Sequence, residues 1–144
     1  MKPQLIESSA PTRGYSLAEA EQMLPLIEAI AAEISERCNL RRDLHRIRAE
    51  LEDSKTPEGL STAIGKVEED IFAHNEGVHH AIDELVELGL TVLRTQPLTI
   101  HIPGRSVGGP LVFCWQVGDS GIGHGHHIGE EDDPRRPLKV RHRD

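Results

Sequence analysis

Two runs of apolar residues, spaced three or four apart, constrain this chain more than any other feature. From Ser16 to Leu51 they are Ala20, Met23, Ile27, Ile30, Ile34, Leu40, Leu44, Ile47 and Leu51. From Leu60 to Leu88 they are Leu60, Ile64, Val67, Ile71, Val78, Ile82, Leu85 and Leu88. A helix of about 3.6 residues per turn gathers such residues on one face. The spacing predicts two long amphipathic helices folded back as an antiparallel hairpin. At roughly 1.5 Å per residue, each arm spans roughly 45–55 Å. Two such rods leave apolar flanks, and pairing of two hairpins into a four-helix bundle, a homodimer, would cover them.

Composition agrees. Hydrophobic residues make up 37% of the chain and charged residues 28%, too few apolar groups for a thick globular core but enough for stripes between helices. The formal net charge of −8 argues against a nucleic-acid partner, which needs a basic footprint. Arg37, Arg41, Arg42, Arg46 and Arg48 cluster in the first arm among acidic neighbours and read as a solvated face. No apolar run reaches the roughly 18–20 residues of a membrane span, and the start shows no secretory signal pattern. Cys38 and Cys114 lie far apart in sequence and form no disulfide framework. These features point to a cytoplasmic protein with neither membrane nor nucleic acid as partner.

Residues 1–14 lack periodicity and read as a mobile leader. Ser16 with Glu19 forms a capping box that opens the first arm, and Tyr15 is placed to staple onto its first turn. Pro25, two turns in, removes a backbone donor and predicts a kink. Thr56 and Pro57 read as the cap and first position of the second arm, and Gly89 as its left-handed stop. The helical hairpin therefore occupies 15–89. A small β-region follows at 90–128. In it Leu98, Ile100 and Ile102 alternate with Thr99 and His101, residues 103–110 read as a loop, Leu111 to Val117 is β-prone, and Ile122 to Ile128 offers a last strand weakened by glycine. The tail at 129–144 carries Glu130, Glu131, Asp132 and Asp133, then Arg135 and Arg136, an alternation of charge typical of solvated chain. The expected fold class is mainly α: a long antiparallel helical hairpin followed by a small antiparallel β-sheet, dimerising through the helices.

Several short runs carry a resemblance. Val112-Phe113-Cys114-Trp115, then Gly118-Asp119, Ile122, His126, Arg135 and Pro137-Leu138, resemble the C-terminal signature of the small bacterial domain-of-unknown-function family 2203. Tyr15 to Ala20 with Leu24-Pro25 resembles that family's opening, Leu88-Gly89-Leu90 its second-helix end, and Leu98 to Pro103 its segment usually written Gly-Leu-Val-Asp-Phe-Pro. The resemblance covers Tyr15 to Leu138. The chain departs from the family at His101, where Asp is usual, at Ile102, where Phe is usual, and at Gly125, where an aromatic usually precedes His126. The resemblance implies a fold and no reaction.

The densest chemistry lies at His124, His126 and His127, with Cys114 one strand earlier and His101 one strand before that. On an extended segment His124 and His126 project to one side. Two imidazoles at that spacing, with a third group from a neighbouring strand, suit zinc or a similar divalent transition metal, and Glu130 or Asp132 could add an oxygen. The alternative is a glycine-rich loop with solvated histidines. Cys114 beside His101 or His126 has the makings of a nucleophile, although its apolar strand favours a buried structural thiol, and Trp115 reads as core. On the arms, His74 falls within the apolar stripe, where bundle metals are sometimes held, while His79 and His80 read as solvent-facing. Gly104 and Gly108-Gly109 are no phosphate loop, because no Gly-Lys-Ser/Thr follows. The sequence thus supports a non-catalytic, homodimeric interaction protein with a possible protein partner. The alternative is a metal-binding protein, or metal-dependent enzyme, with its site in the β-region.

Overall fold

A computed structural model of the chain describes residues 14–54, 58–127 and 137–138. Two helices precede a four-stranded sheet: α1 (Leu17–Glu52), α2 (Leu60–Glu87), β1 (Thr91–Thr95), β2 (Leu98–Ser106), β3 (Gly109–Gln116) and β4 (His124–His127). The sheet is an antiparallel meander in sequence order. The fold is therefore mixed α and β, and the sheet is more than an appendage. One continuous core joins Ile27, Ile34 and Ala31 of α1, Val78 and Leu85 of α2, and Ile100, Ile102, Phe113 and Trp115 of the sheet.

Local chemistry explains the ends of the helices. Ser16 accepts a hydrogen bond from the Glu19 N–H at 3.1 Å, and Glu19 accepts from the Ser16 N–H at 2.9 Å, so the expected capping box is formed. That second bond, aided by Arg105, holds the Glu19 carboxyl below its usual value. Gly89 adopts φ 89°. It lets the Leu90 N–H reach the Leu85 carbonyl at 3.0 Å and the Gly89 N–H reach Val86 at 2.8 Å, the paired bonds of a Schellman stop. Leu85 and Leu90 are both buried beside it.

Pro25 does not break α1, which runs through it as one helix with the ring exposed. The second arm starts later than expected. Gly59, in the left-handed conformation, precedes Leu60, Glu58 lies in a turn, and Thr56 and Pro57 lie outside the described residues.

The single stripe expected along α1 divides. Up to Cys38 the buried residues follow the seam against α2. Beyond it the seam continues through half-buried Arg41, Leu44, Arg48 and Leu51, and its cross-links turn polar. Arg41 donates to Asn75 at 2.8 Å, and Arg48 donates to Glu68 at 2.9 and 2.6 Å. Leu40 and Ile47 fall outside this seam and stay 41% and 37% exposed. The cause is arithmetic: Leu40 stands six residues after Ile34, where a continuous seam needs three, four or seven. Arg42 and Arg46 stay on a solvated charged face, Arg46 pairing with Asp43 and Glu50, whereas Arg37 is half-buried: it pairs with Glu33 and its guanidinium lies over Gly77 of α2.

Residues 103–110 are not a loop. β2 and β3 stay paired from Thr99↔Gln116 to Ser106↔Gly109, and only Val107 and Gly108 turn. Two features carry the strand through Pro103 and Gly104. The Pro103 carbonyl accepts from the Tyr15 N–H at 2.9 Å, and the Arg105 N–H donates to the Tyr15 carbonyl at 2.9 Å. Gly104 lacks the Cβ that would collide with the Phe113 ring. Tyr15 has a wider role than the staple expected of it. It is buried, pairs with β2 beside Gly104, and donates its hydroxyl to the Leu88 carbonyl at 2.6 Å. Burial, with the Glu19 charge nearby, raises its phenol pKa above the usual value. One side chain therefore ties the start of α1 to the end of α2 and to the sheet. Of the leader read at 1–14, residues 1–13 lie outside the described residues, while Gly14 is buried and its carbonyl accepts from Arg105 at 2.6 Å; the acidic run at 130–133 also lies outside the described residues. Within the tail, Pro137 pairs with His124, and the Leu138 N–H donates to the Gly123 carbonyl at 2.9 Å.

Candidate functional site

Alternation along the strands decides which groups meet. Ile100 and Ile102 on β2, and Leu111, Phe113 and Trp115 on β3, face the helices and are buried in the core. His101 and Cys114 therefore project from the opposite face. Register brings them together: His101 pairs with Cys114 across β2–β3, and Cys114 pairs with His124 across β3–β4. His126, two residues on, is paired with Val112 and shares that face. Four of the five sequence candidates, His101, Cys114, His124 and His126, thus occupy one patch of the outer sheet face. His127 is paired with Leu111 and belongs to the other face, beside Gly108. The glycine-rich stretch is a strand at this point, made possible by Gly125, whose missing Cβ would meet the Val112 carbonyl at 2.7 Å.

The patch is closed to solvent at its centre. Cys114 is 0% and His126 2% exposed. The His101 and His126 rings meet edge-on with centroids 5.5 Å apart. Neither nitrogen of His126, nor Nδ1 of His124, has a hydrogen-bond partner among the described residues. A buried imidazole without a partner carries a desolvation penalty, so His126 is a costly residue to keep here for packing alone. Two imidazoles on one zinc, with Zn–N near 2.0–2.1 Å, put their centroids roughly 5–6 Å apart, and the His101–His126 spacing falls in that range. Among the described residues, however, no three His, Cys, Asp or Glu side chains are grouped so as to hold a metal ion. Glu130 and Asp132 lie outside the described residues. Both cysteines are buried and outside any disulfide. Trp115 is core, as expected.

On the arms, His74 sits half-buried with Nδ1 3.4 Å from Arg37 Nη1, and His79 and His80 face solvent. A second feature was hidden in the sequence. A surface cleft of about 330 Å³ is lined by Ser16, Arg105, Ser106 and Val107. Arg105 is held at its edge by the Gly14 carbonyl at 2.6 Å and by Glu19 at 3.2 Å. No local signal could have placed it, because its partners stand 91 and 86 residues away.

Among the described residues no helix is long and apolar enough to cross a membrane. Of the comparisons with known proteins, one is positive: the family described as "Uncharacterized conserved protein (DUF2203)" matches residues 13–138, nearly the span over which the motifs resemble it. No curated protein and no solved structure matches the chain.

Proposed function

We propose, for a chain that belongs to the DUF2203 family of uncharacterized conserved proteins, a non-catalytic role as a homodimeric interaction protein built on its helical hairpin. One observation carries the reading. Leu40 and Ile47, one heptad apart on α1, are 41% and 37% exposed although their apolar neighbours Leu44 and Leu51 are drawn into the seam. Large apolar side chains repeated at seven residues on a helix are the mark of a second helix packing there. Light-scattering mass across a dilution series tests the reading. The expected result is twice the chain mass for the native protein, and the single chain mass for Leu40→Glu combined with Ile47→Glu, with helix content kept. A native protein that stays monomeric at the highest concentration contradicts it.

A second reading, favoured by the buried His126, is a divalent transition metal held on the outer sheet face by His126 with His101, His124 or Cys114. The rings would have to turn to complete a site. Elemental analysis of tag-free protein decides: about one zinc, iron or nickel per chain, lost in His126→Ala, supports it. Metal-free protein whose thermal stability ignores a chelator contradicts it.

A further inference from the structure

We infer that the outer face of the sheet holds its metal through the Cys114 thiolate, with His101 and His126 as flanking imidazoles and His124 as the fourth ligand, in a closed site that ties three strands together. The inference rests on the metal reading above and adds its ligand set, its metal class and its role. β3 lies between β2 and β4, so His101 and His126 are rooted two strands apart, roughly 9–10 Å. Their ring centroids are only 5.5 Å apart, so the rings lean toward each other over β3. The outward residues of β3 at this point are Cys114, paired with His101, and Val112, paired with His126. A thiol thus stands at the foot of the gap between two imidazoles. Cys114 also pairs with His124 across β3–β4, and the buried Nδ1 of His124 has no hydrogen-bond partner among the described residues.

As they stand, these donor atoms do not converge among the described residues. The His126 ring is the one that has to move, and it is held by no hydrogen bond among the described residues. An imidazole turns about two side-chain torsions, so a turn of this ring breaks no bond. A metal would satisfy a nitrogen whose burial is otherwise uncompensated. Sulfur decides the class of metal. A thiolate with imidazoles suits zinc and its substitute cobalt(II), whereas magnesium, calcium and manganese prefer oxygen. The thiol gives its proton to solvent as the metal binds. Burial decides the role. Cys114 is 0% and His126 2% exposed, so the centre of the site is shut to water and substrate. A four-coordinate site filled by protein side chains is structural, which agrees with the non-catalytic role proposed above. Such a bridge pins β4, a strand of four residues weakened by Gly125, to β2 and β3.

Cobalt(II) titrated into tag-free native protein tests the ligand set. The expected result is about one cobalt per chain, with a thiolate-to-cobalt charge-transfer band in the near ultraviolet and the intense visible bands of a four-coordinate ion. Zinc displaces the cobalt. Cys114→Ser abolishes the near-ultraviolet band, whereas Cys38→Ser, on α1, leaves it. Cobalt bound without that band, or with a band that survives Cys114→Ser, overturns the thiolate site but leaves the metal reading standing. The weak visible bands of a six-coordinate ion overturn the closed geometry in the same way. Native protein that binds no cobalt removes both the site and the metal reading. The native spectrum alone decides between these results if Cys114→Ser does not fold.

Discussion

Trp115→Ala lowers the stability of the fold by about 3–5 kcal/mol, the usual cost of emptying a large buried aromatic site. Trp115 lies on the inner face of β3, paired with Ile100, and is 2% exposed. It belongs to the core that α1, α2 and the sheet build together, so its removal opens a cavity among all three. The indole Nε1 has no hydrogen-bond partner among the described residues, which makes the loss one of packing. Trp115→Phe therefore keeps a good part of the stability that Trp115→Ala loses. Val117→Ala, at a position 42% exposed, changes stability by at most about 0.5 kcal/mol. Urea unfolding of the three variants checks the order. A Trp115→Ala cost no larger than that of Val117→Ala means that the helices do not cover this face.

Gly104→Ala costs about 1–3 kcal/mol, the range for overfilling a packed core. The new Cβ would stand 2.5 Å from Phe113 Cε2 and 2.9 Å from Cδ2. The ring is 2% exposed and has little room to turn aside. The backbone cannot easily retreat either. Gly104 lies so close to Gly14 that a Cβ there would meet the Gly104 carbonyl oxygen at 2.8 Å, and the flanking Pro103 and Arg105 hold Tyr15. A shift at Gly104 thus pulls on the first turn of α1. Phe113→Leu removes the colliding ring atoms at its own cost. In a double-mutant cycle the pair should be less destabilised than the sum of the singles, because contacting residues couple. Additive costs, or a neutral Gly104→Ala, mean that the ring does not lie over this glycine.

What the sequence made legible was local. The capping box at Ser16 and Glu19 and the stop at Gly89 need only residues a few positions apart, and both formed as read. The rule that side chains alternate on a strand placed His124 and His126 on one side. What escaped it was set by distant contacts. Pro103 and Gly104 look like punctuation in a local reading, yet they pair as strand because Tyr15 supplies a backbone partner and Phe113 needs the glycine's space. The row His101–Cys114–His124 exists only once three strands have chosen their register. Along α1 the spacing of Leu40 was misread as one stripe with Ile34. Only the packing of α2, with Arg41 and Arg48 in the seam, showed that the apolar residues had moved to a different face.

Hydrogen exchange along α1, measured at low and high protein concentration, tests the central claim most directly. The base of the hairpin, Ala20 to Cys38, packs on α2 and the sheet within each chain, whereas in the proposed homodimer Leu40 to Leu51 would be fully covered only by a second copy. Amides of the first stretch should be protected at both concentrations, and those of the second should gain protection as concentration rises. Protection along Leu40 to Leu51 that does not change with concentration, in protein that stays monomeric, contradicts it.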